Sequence, residues 1–336
     1  MKFQYLLLKS LLLISLLLSA SVSNSQQLGS FDKLTSFNGE SRTLSYFVPS
    51  DYDSTKYYSL MVCLHGLGDN SNNFRNALID YLSWNQFITQ TIFVCPDGGS
   101  DQNKDFYSPN GDEMIIVESI NDAKANYKID TTKIILEGFS LGGRSALKFG
   151  LENTEMFQGL LLNTPAIQGI ADLNNDEGMS SGYMYENASR IPISIIHGDE
   201  DIAYLNLDKL LYKKLLENNG IVQHYLVEGM AHSIPGRSIT EPAVNFLKNP
   251  TPNEEELEFL EIVVPERTIS KDVEAYCKIR SVGSEILSQI ILYYEIDGVS
   301  GNVTTTSTFY PFEIVTIPLK LNMFQLDYGK HTIKIL

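Results

Sequence analysis

The feature that most constrains the fold is a glycine-flanked serine between an apolar run and a helical pattern. Lys133–Glu137 is predicted to form a buried strand and Arg144–Phe149 a helix, with Gly138-Phe139-Ser140-Leu141-Gly142-Gly143 between them. Small residues two positions before and two positions after Ser140 allow a sharp strand-to-helix turn with strained backbone angles. Such a turn would hold the Ser140 hydroxyl above the sheet, at the positive end of a helix.

Short apolar runs alternate with helical patterns from about Leu44 onwards. This alternation predicts an α/β fold, with a doubly wound, mostly parallel sheet covered by helices on both faces. Strands buried on both faces should be apolar throughout, as Ile134-Ile135-Leu136 is. The predicted strands are Thr43–Val48, Ser59–Leu64, Thr91–Cys95, Lys133–Glu137, Gly159–Asn163, Ile191–Ile196 and Val222–Val227.

The composition changes sharply at Asn249–Glu256, where two prolines and three adjacent acids are typical of a linker. We therefore expect an α/β domain over residues 26–248, a linker over residues 249–259 and a small all-β sandwich over residues 260–336. The predicted sandwich strands are Glu274–Ile279, Gln289–Ile296, Asn302–Tyr310, Ile314–Leu319 and a last strand within His331–Leu336.

Residues 1–25 have the order of an export signal, with Lys2 and Lys9 before the apolar run Leu11–Ala20 and small polar residues after it. A membrane anchor is the alternative, but the uninterrupted run is shorter than the about 20 residues that a span needs. The formal net charge of −16 would be repelled by nucleic-acid phosphates and by anionic lipids. We therefore expect a secreted or periplasmic protein with no membrane span and no nucleic-acid partner.

The three cysteines are too few for a disulfide scaffold. Cys63 and Cys95 lie in predicted neighbouring strands, so a bridge between them is one alternative, and two small buried side chains are the preferred interpretation. Cys277 has no obvious partner in the sequence. The sequence shows no cluster of cysteines and histidines with metal-ligand spacing, so we expect neither a metal nor a cofactor.

Two further predicted strands are followed by loops that contain candidate catalytic groups. His65-Gly66-Leu67-Gly68 follows one of them, and the backbone amides of Leu67 and Leu141 would form an oxyanion hole there, with His65 in a structural role. His197-Gly198-Asp199-Glu200-Asp201 follows the other and offers Asp199 or Asp201 as the acid of a catalytic triad.

The base of such a triad follows the acid in chain order, which leaves three histidines. His224 lies inside an alternating strand and His331 lies in the tail, so His232, in a loop just past the last α/β strand, is the candidate. In this arrangement His232 would accept the proton of Ser140 during attack on an ester carbonyl, and no metal would be needed.

These residues resemble the secreted α/β-hydrolase esterases of the esterase D, feruloyl esterase and polyhydroxybutyrate depolymerase group, over about Thr43–Leu247. The resemblance implies that the triad acid stands four residues after His197, which favours Asp201 over Asp199. It also implies cleavage of carboxylic esters, including acyl groups on extracellular polysaccharide or polyester. The motifs that carry it are Tyr46–Pro49, Leu60–Gly68, Pro96–Gly99, the Ser140 turn, the acid loop and the His232 loop.

The stretch between Asn163 and Ile191 is short for a substrate-covering insertion, so we expect a site open to bulky or polymeric substrates. A serine peptidase on the same fold is an alternative, weakened by the short segment before the first predicted strand, where such peptidases carry a large β domain. A catalytically silent binding module is a second alternative, although Ser140, Asp201 and His232 are all present in order.

The tail resembles the immunoglobulin-like modules that are appended to exported bacterial enzymes, at the level of its pattern only. Its aromatic side chains would form a carbohydrate-stacking face, or alternate members would belong to the core, which is the preferred interpretation. These aromatic residues are Tyr293, Tyr294, Phe309, Tyr310 and Phe312.

Overall fold

The computed structural model describes residues 26–100, 103–107, 111–167, 183–251, 257–264, 272–281, 286–310, 313–322 and 332–335. The predicted export signal at residues 1–25 lies outside these described residues. So does most of the stretch between Asn163 and Ile191, on which the expectation of an open site depends. Within the described ranges, no helix has both the length and the apolar character needed to cross a membrane.

One eight-stranded sheet is built from the first part of the chain. Its strands are β1 (Gly29–Phe37), β2 (Glu40–Val48), β3 (Tyr58–Leu64), β4 (Thr91–Pro96), β5 (Ile129–Phe139), β6 (Gly159–Asn163), β7 (Ile193–Gly198) and β8 (Val222–Val227). Their spatial order is β1-β2-β4-β3-β5-β6-β7-β8. From β4 to β8 the neighbours are parallel, while β2 and β1 are antiparallel.

The predicted α/β fold with a mostly parallel sheet is confirmed, because each predicted α/β strand corresponds to a strand of this sheet. Strand β1 was not predicted from the sequence. It is an edge strand in which Leu34 is 72% exposed while Lys33 and Thr35 are half-buried, so the alternation of apolar and polar residues matches its buried face only in part. Phe31 and Phe37 nevertheless pack against the core.

The helices are α1 (Ser71–Asn76), α2 (Ile115–Asn126), α3 (Leu141–Glu152), α4 (Leu205–Glu217) and α5 (Arg237–Lys248). They cover both faces of the sheet and so define two cores. On β3, Leu60 and Val62 belong to the core shared with α2, α3 and α4, whereas Met61 and Cys63 belong to the core shared with α1 and α5. Burial on both faces explains why the central strands are apolar throughout.

Cys63 and Cys95 are free, buried thiols in the second of these cores. The structure therefore has the two small buried side chains of the preferred interpretation rather than a bridge. Cys277 is also a free, buried thiol, in the core of the tail.

The tail is a β-sandwich of two antiparallel three-stranded sheets around one apolar core. The first strand begins at Leu257, inside the predicted linker 249–259, because the chain pairs with the following strand from that residue onwards. The immunoglobulin-like identity of the sandwich stays a prediction. The strands of the sandwich are β9 (Leu257–Val263), β10 (Asp272–Ser281), β11 (Leu287–Ile296), β12 (Val299–Phe309), β13 (Ile314–Asn322) and β14 (Ile333–Ile335). One sheet has the order β13-β10-β9 and the other has the order β12-β11-β14.

Glu137 is a fully buried carboxyl group on β5. Its Oε1 accepts a hydrogen bond from Asn163 Nδ2 at 2.8 Å, and its Oε2 has no hydrogen-bond partner among the described residues. Burial raises the pKa of Glu137 to about 8, and the Asn163 amide and the nearby Cys63 thiol offset only part of this rise. The folded protein therefore keeps Glu137 protonated at neutral pH.

We predict that Glu137→Gln reduces the loss of stability that occurs as the pH rises from about 4.5 to about 8. An unfolded Glu137 ionises near pH 4.5, whereas the folded one stays protonated to about pH 8, so unfolding releases a proton in this window. The free energy of unfolding of the wild type therefore falls as the pH rises through this window, by up to about 5 kcal/mol. Gln keeps an oxygen for Asn163 and removes the ionisation.

The measurement is urea denaturation at about pH 5 and about pH 8.5, followed by circular dichroism of the helices. The difference in the free energy of unfolding between Glu137→Gln and wild type should increase in favour of the variant from the lower to the higher pH. Glu155→Gln is the matched control, because Glu155 is an exposed glutamate just after α3. Equal pH dependence of wild type and Glu137→Gln would contradict a buried, protonated Glu137.

Candidate active site

Ser140 occupies the turn between β5 and α3, with a φ of 56° and a ψ of −118°. Such angles are strained for a residue with a side chain. The turn is possible because its neighbours are glycines: a Cβ on Gly138 would overlap the backbone of Gly142 and Gly143, and a Cβ on Gly142 would overlap the carbonyl oxygen of Leu64. The glycines that predicted the turn are therefore required by close backbone approach.

Backbone hydrogen bonds hold Ser140 in this conformation. Its amide donates to Asn163 O at 3.0 Å, at the end of the neighbouring strand β6. Its carbonyl accepts from the amides of Arg144 at 3.1 Å and Ala166 at 2.9 Å. The strained residue is thus bonded to β6, to the first turn of α3 and to the segment after β6.

The structure brings together the three side chains predicted to form the triad. His232 Nε2 lies 2.8 Å from Ser140 Oγ, and His232 Nδ1 lies 2.6 Å from Asp201 Oδ2. The nitrogen that faces the carboxylate carries the proton, so Nε2 is free to accept one from the serine hydroxyl. A serine bonded to an imidazole, itself bonded to a buried carboxylate, can act as a nucleophile.

Asp201, and not Asp199, contacts His232. Asp201 is buried, while the Asp199 carboxylate accepts a hydrogen bond from the backbone amide of Gly229 at 2.7 Å. The structure therefore distinguishes the two acids by position. Asp199 ties the acid loop to the loop that carries His232.

The loops after β7 and β8 lie against each other without intervening side chains. A Cβ on Gly198 would overlap the carbonyl oxygen of Met230, and that oxygen accepts a hydrogen bond from Glu200 N at 3.1 Å.

The ring of His232 lies between those of Phe139 and Tyr204, and the centroid of each of these rings is 5.2 Å from that of His232. These contacts fix the imidazole while leaving its side chain 32% exposed to incoming substrate.

The loop after β3 packs directly on the nucleophile turn, since a Cβ on Gly66 would lie 3.3 Å from Ser140 Cβ. His65 holds this loop. Its Nδ1 lies 2.8 Å from Gly66 O and its Nε2 accepts from the amide of Gly98 at 3.0 Å, which requires the neutral ring with the proton on Nδ1. Burial lowers the pKa of His65 and favours that form.

The peptide that His65 fixes is the one that carries the Leu67 amide, because Gly66 C=O and Leu67 N–H belong to one planar unit. Leu141 is the first residue of α3, where helix amides have no partner within the helix. The two predicted oxyanion donors thus flank Ser140 on a held loop and on a helix N-terminus. The Leu67 side chain is 63% exposed.

The sequence predictions missed three buried neighbours of the acid. His197 Nε2 lies 3.1 Å from Asp201 Oδ2, and beyond His197 lie Asp208 and His224. The available signal was Asp208, an acid on the apolar face of α4 shared with Leu211. Within the part of the chain that the structure describes, no group of three or more histidine, cysteine or acidic side chains could hold a metal ion.

We predict that Gly142→Ala destabilises the protein by about 3 kcal/mol or more, because its Cβ would meet the backbone oxygens of Leu64 and His65, which have no room to move. Gly236→Ala is the matched control: Gly236 has an ordinary φ of −73° and open space around its Cβ position. Its cost should stay within about 1 kcal/mol. Thermal melting compares the two, and similar midpoints for both variants would contradict the tight approach.

Comparisons with known proteins bear on the fold and on the class of enzyme. A family model described as Phospholipase/Carboxylesterase matches residues 111–249, the part of the chain that contains Ser140, Asp201 and His232. A curated relative named "Probable feruloyl esterase C", from Aspergillus terreus (strain NIH 2624 / FGSC A1156), is 27% identical over 212 residues, which are 61% of this chain and 72% of the relative.

A solved structure of a ferulic acid esterase superimposes with a TM-score of 0.53 at 16% sequence identity. The match covers 66% of this chain and 99% of that one, and it shows that the two share the α/β-hydrolase fold. The family match, the curated relative and the fold together identify the chain as a carboxylic ester hydrolase with an α/β-hydrolase fold.

Proposed function

We propose that the chain hydrolyses esters through a triad of Ser140, His232 and Asp201. The observation that carries this proposal is the unbroken line of contacts from Asp201 Oδ2 to His232 and from His232 Nε2 to Ser140 Oγ, at 2.6 and 2.8 Å. In that line the imidazole removes the serine proton as Oγ attacks the carbonyl carbon. Asp201 holds the ring in the required tautomer and stabilises the imidazolium that forms.

The amides of Leu67 and Leu141 would donate to the oxyanion of the tetrahedral intermediate. Collapse of that intermediate transfers the His232 proton to the leaving alcohol and leaves an acyl group on Ser140. Water then repeats the sequence: His232 takes its proton, the hydroxide attacks the acyl carbon, and the acid and free Ser140 are released. Removing one oxyanion donor would cost about 3 kcal/mol of transition-state stabilisation.

The substrates we propose are acyl esters of extracellular polysaccharide or polyester, feruloyl or acetyl esters in particular. The name of the curated relative supports the feruloyl class. An apolar or aromatic acyl group is supported by two exposed apolar side chains, Leu67 on the proposed oxyanion loop and Ile202 next to Asp201 in the chain. Neither of these two positions carries a positive charge that could pair with a negatively charged acyl group.

Export and carbohydrate contact belong to the same proposal. The order of charged, apolar and small polar residues in 1–25 supports a secreted or periplasmic enzyme. In the tail, Phe309 belongs to the core and Tyr294 packs against it, while Phe312 lies outside the described residues. Tyr293 is 53% exposed on the outer face of β11 and supports contact with a sugar ring.

The first test is labelling with a fluorophosphonate probe, followed by an ester panel. We expect the wild type to be labelled and Ser140→Ala to be unlabelled with the same melting temperature. We expect hydrolysis of methyl ferulate and p-nitrophenyl acetate, and little cleavage of the matching amides. A folded wild type that is neither labelled nor active would leave the binding-module alternative, and faster amide cleavage would favour the peptidase.

The second test separates the two acids. Asp201→Asn should lower kcat on p-nitrophenyl acetate by about 10³–10⁴-fold, because an amide cannot hold His232 in the required tautomer. Asp199→Asn is the matched control one turn of loop away, and we expect it to retain activity within about tenfold, since its contact is with Gly229 N. Equal losses in the two variants would contradict the assignment of Asp201 as the triad acid.

A further inference from the structure

Three buried side chains lie directly behind the acid of the proposed triad. His197 stands at the end of β7, Asp208 on α4 and His224 on β8, and all three are buried. We call these three residues the acid-side cluster. The proposed mechanism makes no use of them, although buried ionisable groups are costly unless they are paired.

The acid-side cluster continues the line of contacts that begins at Ser140. His197 Nε2 lies 3.1 Å from Asp201 Oδ2, and His197 Nδ1 lies 3.4 Å from Asp208 Oδ2. Asp208 Oδ2 in turn lies 2.6 Å from His224 Nε2. The two contacts of His197 have ion-pair distance without hydrogen-bond geometry, so their strength depends on the charges that they carry.

His197 is placed to be a cation between two carboxylates. Burial lowers its pKa, but Asp208 and Asp201 outweigh that effect, and the net pKa of His197 is raised above its ordinary value. For Asp208 burial acts in the opposite direction and raises the pKa. His224 and His197 outweigh this effect and lower the pKa of Asp208 to about 2. An anionic Asp208 therefore favours the protonated form of His197 next to Asp201.

We propose that His197 is a positioning residue whose positive charge partly neutralises Asp201, so that His232 remains an unprotonated base to lower pH. The proposal rests on the triad proposed above. A lone buried carboxylate 2.6 Å from His232 Nδ1 would favour the imidazolium, which cannot accept the serine proton. A positive charge on His197, next to the same oxygen of Asp201, reduces this preference for the imidazolium.

Other ionisable groups face this line from each packed element. From α4 come Asp208 and Tyr212, whose ring lies 5.1 Å from that of His224 on β8. From the segment before α4 comes Tyr204, beside His232. Of the two other acids in the loop after β7, Asp199 accepts a hydrogen bond from Gly229 N, and Glu200 is exposed. Of these groups, His197 is therefore the one that can place a second positive charge next to Asp201 Oδ2, the oxygen that also contacts His232.

The test is the pH dependence of kcat/KM for the full chain on p-nitrophenyl acetate. His197→Gln keeps an amide N–H near the position of Nε2 and removes the charge. We expect the acidic limb of the profile to move up by about one pH unit, with KM changed less than about twofold and with activity recovered above about pH 8. A purely structural role for His197 would lower activity at every pH without moving the limb.

His224→Gln is the matched control. It removes the other imidazole from Asp208 but touches neither Asp201 nor His232, so we expect the acidic limb to move by less than about a third of the shift seen in His197→Gln. An unchanged limb in a folded, active His197→Gln, or an equal shift in both variants, would overturn the proposal.

A second measurement covers the case in which His197→Gln does not fold. In Ser140→Ala, side-chain nitrogen NMR of the five histidines should show His197 protonated on both ring nitrogens at a pH where His232 is neutral. A neutral His197 at that pH would overturn the proposal. Because this readout needs no turnover, it stays separate from the outcome of fluorophosphonate labelling, which tests the triad itself.

Discussion

The site depends on one constraint: the Ser140 turn must fit beneath the loop after β3 with no side chain between them. The positive φ of Ser140 costs on the order of 1–3 kcal/mol. That cost is offset by the three backbone hydrogen bonds of Ser140 and by the contact that Gly142 makes possible with the Leu64 carbonyl. The same closeness that forces glycine at position 142 brings Gly66, and with it the Leu67 amide, next to the serine. The proposed nucleophile and the proposed oxyanion donor on Leu67 therefore belong to one packing arrangement.

The strand order then sets the distances that the base must cover. Ser140 follows β5 and Asp201 follows β7, so one strand, β6, lies between them. Parallel neighbours are about 4.8 Å apart, which puts the two strand ends about 10 Å from each other. An imidazole with a hydrogen bond at each end spans such a gap, and the loop after β8 carries this imidazole as His232. Asn163, at the end of the intervening strand β6, holds the β5 side of this gap, because its backbone oxygen accepts from Ser140 N and its side chain donates to Glu137.

Local sequence predicted the parts of this arrangement that depend on backbone and chain order. The apolar strands, the glycine requirement at 138 and 142 and the order of Ser140, Asp201 and His232 all follow from such patterns. The choice between Asp199 and Asp201 needed a resemblance, because both stand on one short loop and only the three-dimensional turn decides which faces His232. His197 and Asp208 were missed as neighbours for a similar reason, since their contact depends on the packing of α4 against β7 and β8.

The buried acids behind the site have opposite charge states because their partners differ. Glu137 faces an amide and a thiol, neither of which carries a charge, and its pKa rises to about 8. Asp208 faces two imidazoles, which can take up the proton that the carboxyl group releases, and its pKa falls to about 2. Burial has the same sign in both, so the partner decides the outcome. The sheet thus keeps a neutral acid on β5, three residues before Ser140, and an ionised one beyond His197. A negative charge on Glu137 would oppose the developing oxyanion, whereas the charge of Asp208 acts on the proposed base through His197.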